Sequence, residues 1–161
     1  MKILERVYPD DKKVKPQTLA HHEARYDFAA KLFENKDCFE YRHLDLACGS
    51  GYGCERLKKA GFIATGIDIS PEAILYARRH YPECVFYVRD IIEPPRFIDS
   101  FDLITMFEAI EHLPYLQGVE VIKNYSDLLI KGGYFVLSTP RDINDKYNTF
   151  HKSEWDYGLI K

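Results

Sequence analysis

The sequence predicts an α/β fold, a mostly parallel sheet held between two helical layers, on three observations. Short apolar runs alternate with amphipathic stretches at helical spacing. The connections between successive runs are long enough to be crossovers, which join parallel strands. No internal repeat or low-complexity tract interrupts the alternation. With 161 residues, 46% of them hydrophobic, the chain can bury one sizeable core, so residues 1–161 are expected to form a single domain.

The elements follow in order. Residues 1–16 are charged and marked by Pro9 and Pro16, which reads as an arm. From 17 to 35, Leu19, Glu23, Tyr26, Ala30 and Phe33 recur at helical spacing and predict a lead helix. His43 to Ala47 reads as the first strand, running into a glycine turn at 49–53, and a helix over about 53–60 ends where Gly61 takes the C′ position. Ile63 to Ile67 is the second strand. Ser70 offers an N-cap oxygen and Pro71 suits the first helical position, so a helix runs to about His80, with Ile74, Leu75 and Ala77 for packing; Pro82 ends it. Val85–Val88 and Phe101–Phe107 are the third and fourth strands. A helix over 119–130 is stopped by Gly132-Gly133, and Tyr134–Ser138 is the fifth strand. Residues 43–138 thus form a core, and 139–161 a short tail.

Composition narrows the function. A net charge of -3 and pI near 6.1 give no basic footprint, and Lys12-Lys13-Val14-Lys15 and Arg78-Arg79 are short, distant clusters, so nucleic acid is not the favoured partner. No apolar run approaches ~18 residues and MKILERVYPDD has neither a long apolar core nor a cleavage site, so no membrane partner and a cytoplasmic chain are expected. Cys38, Cys48, Cys54 and Cys84 form no CxxC pair and read as free thiols. No His or carboxylate cluster has metal-ligand spacing apart from Glu108, Glu111 and His112, so no metal is expected.

In such a sheet, ligands settle outside the carboxyl ends of the strands. Four exits carry polar residues: the turn at 49–53, Asp68, Asp90, and Glu108 to His112. Each has a bland explanation as a turn former; their joint placement is stronger than any member. A dinucleotide site also pairs a glycine turn with an acid about 20 residues on. Here position 54 is Cys, so G-x-G-x-G replaces G-x-G-x-x-G, and Asp45 would set a carboxylate against the pyrophosphate. A ligand carrying a ribose and a cation removes that conflict, because an ammonium or sulfonium gains Coulomb energy beside Asp45. Alternatively Asp45 serves the turn by accepting its amides.

The residues DLACGSG, GIDIS, VRDI and FEAIEHL, in that order, resemble the class I S-adenosylmethionine-dependent methyltransferases, of the type 11/12-like subgroup. The resemblance covers about 43–140, and HHEARYDFAA and STPRDINDKYNTFHKSEW are similar to the flanks of a bacterial subgroup acting on small molecules or glycans. It implies a Rossmann-like α/β/α fold with S-adenosyl-L-methionine as cofactor and S-adenosyl-L-homocysteine as product. It implies that Asp45 sits by the methionine ammonium and that the turn Ala47, Cys48, Gly49, Ser50 and Gly51 lets the methionine portion approach. Asp68 would accept the ribose hydroxyls and Ile69 pack on adenine. Asp90 would accept from the adenine amino group, with the Ile91 amide donating to the ring. Phe107 and Glu108 would pass beneath the sulfonium, and Arg25 or Tyr26 on the lead helix would bind the cofactor carboxylate.

Methyl transfer relies mainly on in-line alignment of the reacting atoms. If the acceptor is a hydroxyl or ammonium, a base is needed, and His112 is the best placed, with Glu108 on the same helical face at i,i+4; a packing or capping role for His112 is the alternative. Phe150, His151 and Trp155 either line the acceptor side or cover strand five. The family fold adds a sixth and seventh strand as a hairpin, which the residues after strand five cannot supply, so that hairpin is expected to be missing: either the enzyme is a minimal five-stranded one, or a second copy covers the edge, or the chain is truncated. Three readings follow: a methyltransferase acting on a small-molecule, sugar or glycan acceptor by O- or N-methylation, a noncatalytic cofactor-binding scaffold, and an NAD-dependent oxidoreductase.

Overall fold

The computed structural model describes residues 6–34, 40–93 and 100–140. They form an α/β/α Rossmann-like sandwich whose elements run α1 (Pro16–Lys31), β1 (Tyr41–Leu46), α2 (Tyr52–Lys59), β2 (Phe62–Asp68), α3 (Pro71–His80), β3 (Val85–Val88), β4 (Phe101–Phe107), a single 3-10 turn (Ile110–His112), α4 (Tyr115–Ser126) and β5 (Leu129–Ser138). The five strands are all parallel, in the order β3-β2-β1-β4-β5. The order reverses between β1 and β4, so a crevice opens at the carboxyl ends of those two strands. The described strands end at β5.

Strand alternation divides the core between two faces. Leu44, Leu46, Ile67, Ile104 and Met106 pack with Ile110, Leu113, Val121 and Tyr125 on the α4 side. On the opposite face Phe62 and Leu103 pack with Tyr26, Ala29, Phe33 and Leu57 of the α1–α2 region, while Ala64 and Phe86 pack with Ile74 and Ala77 of α3. Odd-numbered β1 residues face α1 and α2, which is why His43 and Asp45 lie buried there.

Local chemistry accounts for most boundaries. Ser70 Oγ accepts from the Ala73 amide at 3.2 Å and Pro71 opens α3, while Gly61 follows α2 with φ 96°. Leu75, expected to pack, is 51% exposed; Ile74 and Ala77 are fully buried. The helix expected over 119–130 is corrected more substantially. It starts after Pro114 and ends at Ser126, and β5 runs through Gly132-Gly133 instead of starting after them. Phe101 pairs with Leu129 and Leu103 with Tyr134, so β5 advances five residues while β4 advances two. Gly132, at φ 82°, supplies the left-handed backbone that this irregularity requires. Two adjacent glycines mark a bulge here, not a helix stop.

Candidate functional site

The site grows from the exits of β1 and β4. The β1 exit turns sharply: the Cys48 amide donates to the Ile67 carbonyl at 2.9 Å, and the Gly51 amide to the Cys48 carbonyl at 3.0 Å. Gly51, at φ 83°, is the N-cap of α2, and a Cβ there would fall 2.7 Å from Ala77 Cβ and 2.8 Å from the Phe86 ring. Glycine is required at 51 by packing. Gly49, at φ 55°, has nothing within 4 Å of where a Cβ would stand, so its backbone faces open space. Two non-glycine residues also adopt left-handed backbone, Ala47 at φ 57° and Glu108 at φ 51°. They sit just beyond β1 and β4, the neighbours flanking the reversal. Such strain costs on the order of 1–3 kcal/mol per residue and gathers at ligand sites.

Ala47 and Glu108 both line a cavity of about 360 Å³. Asp68, Ile69, Asp90, Ile91 and His112 complete the part of the wall that the sequence singled out, and Arg6, Arg89, Ile92, Ala109 and Leu113 complete the rest. Asp68 is held rigidly: Oδ1 accepts from the Ser70 amide at 2.8 Å and from Arg6 Nη2 at 2.9 Å, and Oδ2 accepts from the Gly49 amide at 2.9 Å. Asp90 Oδ1 accepts from the Ile92 amide at 3.0 Å. Ile69 is 55% exposed at the cavity, an apolar platform beside two carboxylates. The arm is tied to this wall, since Ser50 Oγ donates to the Val7 carbonyl at 2.6 Å and Tyr76 donates to Asp10 at 2.6 Å.

Asp45 is 1% exposed and does not line the cavity. Its Oδ1 accepts from the Thr105 hydroxyl at 2.7 Å, and its Oδ2 from the Tyr26 hydroxyl at 3.0 Å, with Cys54 Sγ at 3.8 Å. It accepts from side chains, not from turn amides. Burial pushes its carboxyl up to about 7, opposed by those three donors. Burial likewise pushes His43 down to about 3, so His43 is neutral. None of the three donors to Asp45 is a cation.

Around the β4 exit, Arg25 Nη2 lies 3.2 Å from Glu108 Oε1, and Ser138 Oγ donates to the same oxygen at 2.8 Å. Phe107 meets the Tyr26 ring edge-on at 4.8 Å between centroids, and His22 Nδ1 lies 2.9 Å from the Tyr52 hydroxyl. The expected helical i,i+4 relation of Glu108 and His112 is corrected: Glu108 is left-handed and His112 ends a three-residue 3-10 turn before α4 begins. Both nevertheless reach the cavity. Glu111 is buried and does not line it.

Eight of the selected residues stand outside the cavity wall: Arg25, Tyr26, Asp45, Cys48, Gly49, Ser50, Gly51 and Phe107. They form the turn and the layer beneath it. Cys48, Cys54 and Cys84 are free and buried, and Cys38, Phe150, His151 and Trp155 lie outside the described residues. Arg6, Arg89, His43 and Thr105 were not singled out in the sequence. Arg6 was hidden in a charge-rich arm; the polar interruptions of two otherwise apolar strands were the available signal for His43 and Thr105. Among the described residues, no group of His, Cys, Asp and Glu is placed to hold a metal ion, and no helix is long and apolar enough to cross a membrane.

A parallel sheet with acidic strand exits around a strained crevice beside a glycine turn defines a Rossmann-like ligand-binding domain. Residues 44–137, more than half of the chain, match the family model described as a methyltransferase domain. The chain belongs to that family, the class I S-adenosylmethionine-dependent methyltransferases. It is 34% identical over 136 residues to the ubiquinone biosynthesis O-methyltransferase of Coxiella burnetii, covering 81% of this chain and 57% of that protein. A solved protein from Pyrococcus horikoshii matches with a TM-score of 0.66 at 26% identity over 81% of this chain and 62% of its own. The N-methyltransferase NodS from Bradyrhizobium japonicum, solved with S-adenosyl-l-homocysteine, matches with a TM-score of 0.66 over 78% of this chain and 63% of its own; at 22% identity that likeness shows the fold. The chain spans about half the length of the curated relatives it matches.

Proposed function

We propose that this chain binds S-adenosylmethionine at the carboxyl ends of β1 to β4 and transfers its methyl group to a small-molecule hydroxyl or amine. The observation that carries the reading is the pair of strained residues, Ala47 and Glu108, facing one cavity with Asp68 and Asp90 on its wall. The residues suit the cofactor. Gly49 leaves open backbone where a ligand chain can pass, Ile69 and Ile91 offer apolar surface for a purine, and Asp68 and Asp90 offer acceptors for hydroxyl and amino groups. Beneath the turn, Asp45 is a buried carboxyl whose neighbours are neutral donors, and its ionised form favours a cation above it. Of Arg25 and Tyr26 on α1, Arg25 then serves the carboxylate end, because Tyr26 gives its one proton to Asp45, and Cys48, Ser50, Gly51 and Phe107 shape the approach.

Bound there, the cofactor supplies an electrophilic methyl carbon on a sulfonium. The protein aligns the acceptor, keeps water out and removes a proton. We assign the proton to a ring nitrogen of His112, an imidazole on the cavity wall, while Glu108, engaged by Arg25 and Ser138, holds that corner. Within the proposal, the finer acceptor is a sugar or glycan, the chain acts in the cytoplasm, and a second copy covers the β5 edge. The O-methyltransferase relative supports a hydroxyl acceptor.

Calorimetry with S-adenosylhomocysteine and with NAD tests the core of this. Uptake of the thioether without uptake of NAD is expected; the reverse pattern would mean an oxidoreductase. Tritium transfer from labelled cofactor to a panel of hydroxyl and amine acceptors tests turnover. There His112→Ala should abolish transfer while retaining thioether binding, whereas binding without turnover on any acceptor would leave a scaffold.

A further inference from the structure

The buried face between α1 and the sheet carries a hydrogen-bond chain that the family resemblance does not assign. Asp45 and Thr105 are cross-strand partners in the β1–β4 register, and His43 lies two residues before Asp45 on the same face. His43 Nε2 is 2.8 Å from Thr105 Oγ1, which is 2.7 Å from Asp45 Oδ1. Both His43 and Thr105 have no solvent exposure, and a buried polar side chain is costly unless its hydrogen bonds are made.

The donors and acceptors can be counted. A hydroxyl has one proton, and an ionised carboxylate can only accept, so Thr105 must give its proton to Asp45. Its oxygen then accepts from His43, which requires the Nε2–H tautomer. His43 Nδ1 is buried and has no hydrogen-bond partner among the described residues. That also favours Nε2–H, since a buried lone pair left unmet costs less than an orphaned N–H. In the other tautomer, Thr105 would donate to His43 and leave Asp45 Oδ1 facing an oxygen with no proton between them, which only a protonated Asp45 tolerates. The chain therefore has a polarity that matches the charge on Asp45.

We propose that Thr105 and His43 are positioning residues that hold Asp45 ionised and oriented beneath the turn, so that a cationic cofactor is bound with an affinity that depends on this relay. The proposal rests on reading Asp45 as the anion that favours the cofactor's cation. Among the described residues, the other titratable groups facing Asp45 are Tyr26 from α1, Tyr52 and Cys54 from α2, Cys48 from the turn and Asp68 from β2. None is basic, so no neighbouring cation substitutes for the relay. Burial sets the Asp45 carboxyl at about 7, where a single donor decides its charge.

The test is calorimetric binding of S-adenosylhomocysteine to the full chain at pH 7 and pH 8.5, for wild type, Thr105→Val, Thr105→Ser and Asp45→Asn. Losing one donor to a carboxylate raises its titration by about one unit, so Thr105→Val is expected to bind about five-fold more weakly than wild type at pH 7 and less than about two-fold more weakly at pH 8.5. Taking the ratio to wild type cancels titration of the ligand itself. Thr105→Ser keeps the hydroxyl and should match wild type at both values. Loss of affinity in Thr105→Val by the same factor at both pH values would mean a packing role and overturn the proposal. Asp45→Asn binding as tightly as wild type would instead overturn the reading of Asp45 on which it rests. Should Thr105→Val not fold, nitrogen NMR of the wild-type His43 ring at pH 8.5, where Asp45 is ionised, decides: a neutral Nε2–H ring is expected, and an Nδ1–H ring or an imidazolium refutes the relay.

Discussion

Gly53 gives the sharpest test of how α1 is locked over the site. It lies in the first turn of α2, where alanine is normally favoured over glycine by up to about 1 kcal/mol. A Cβ at 53 would instead stand inside the van der Waals envelope of the Tyr26 ring and hydroxyl. That ring is 5% exposed and held edge-on by Phe107 at 4.8 Å and Tyr52 at 5.8 Å, so it has no free direction of retreat. Overpacking costs about 1–3 kcal/mol. Moving Tyr26 also breaks its 3.0 Å hydrogen bond to Asp45, worth about 1.5–3 kcal/mol when the acceptor is charged. Gly53→Ala should therefore lose about 1.5–5 kcal/mol net after the helical gain. Urea unfolding reads it as a lowered midpoint at unchanged slope. Tyr26→Phe isolates the hydrogen-bond share. A Gly53→Ala protein as stable as wild type, or more so, would refute the packing argument.

Stability against pH probes the buried Asp45–His43 pair. Asp45 titrates near 7 when folded, above its unfolded value, so its contribution is complete below about pH 4 and is lost as pH rises to 7. His43 titrates near 3 when folded, below its unfolded value, so its contribution is present above about pH 6.5 and is lost as pH falls toward 3. The two slopes oppose between about pH 4 and 6.5, leaving wild type nearly flat there from this pair. Asp45→Asn should remove one slope and lose about 1.4 kcal/mol between pH 6 and 5; a variant as flat as wild type in urea titrations would count against it. Asp68→Ala should weaken S-adenosylhomocysteine by about 10- to 100-fold through two lost acceptor bonds, measured by calorimetry, and an unchanged dissociation constant would remove Asp68 from the ribose. Burial pushes the thiols of Cys48, Cys54 and Cys84 up, so a disulfide reagent should reach these three only as the chain unfolds; mass mapping that finds them modified in the native state would contradict their burial.

Much of the architecture was legible because the signals are local. Val85–Val88 and Phe101–Phe107 match the observed strands, and Ser70 with Pro71 marks the start of α3, since apolar period, capping oxygen and proline geometry act within a few residues. The glycine turn and the acids at 68 and 90 were readable as strand-exit residues for the same reason. The α4–β5 boundary was not: a glycine pair stops a helix or bulges a strand, and only pairing with β4 decides which.

What the sequence determined by itself was the alternation of strands and helices, the turn that must hold glycine, and the acids that end the strands, all set by backbone sterics and short-range hydrogen bonding. The tertiary structure alone decided which side chains those acids meet. Arg6 reaches Asp68 across 62 residues and Thr105 reaches Asp45 across 60, and no local propensity encodes a contact made only when β4 docks beside β1 or the arm folds back over β2. Whether a carboxylate is solvated at a rim or buried beneath it depends on that docking, because desolvation is a property of the whole packed layer and not of the residue that carries the charge.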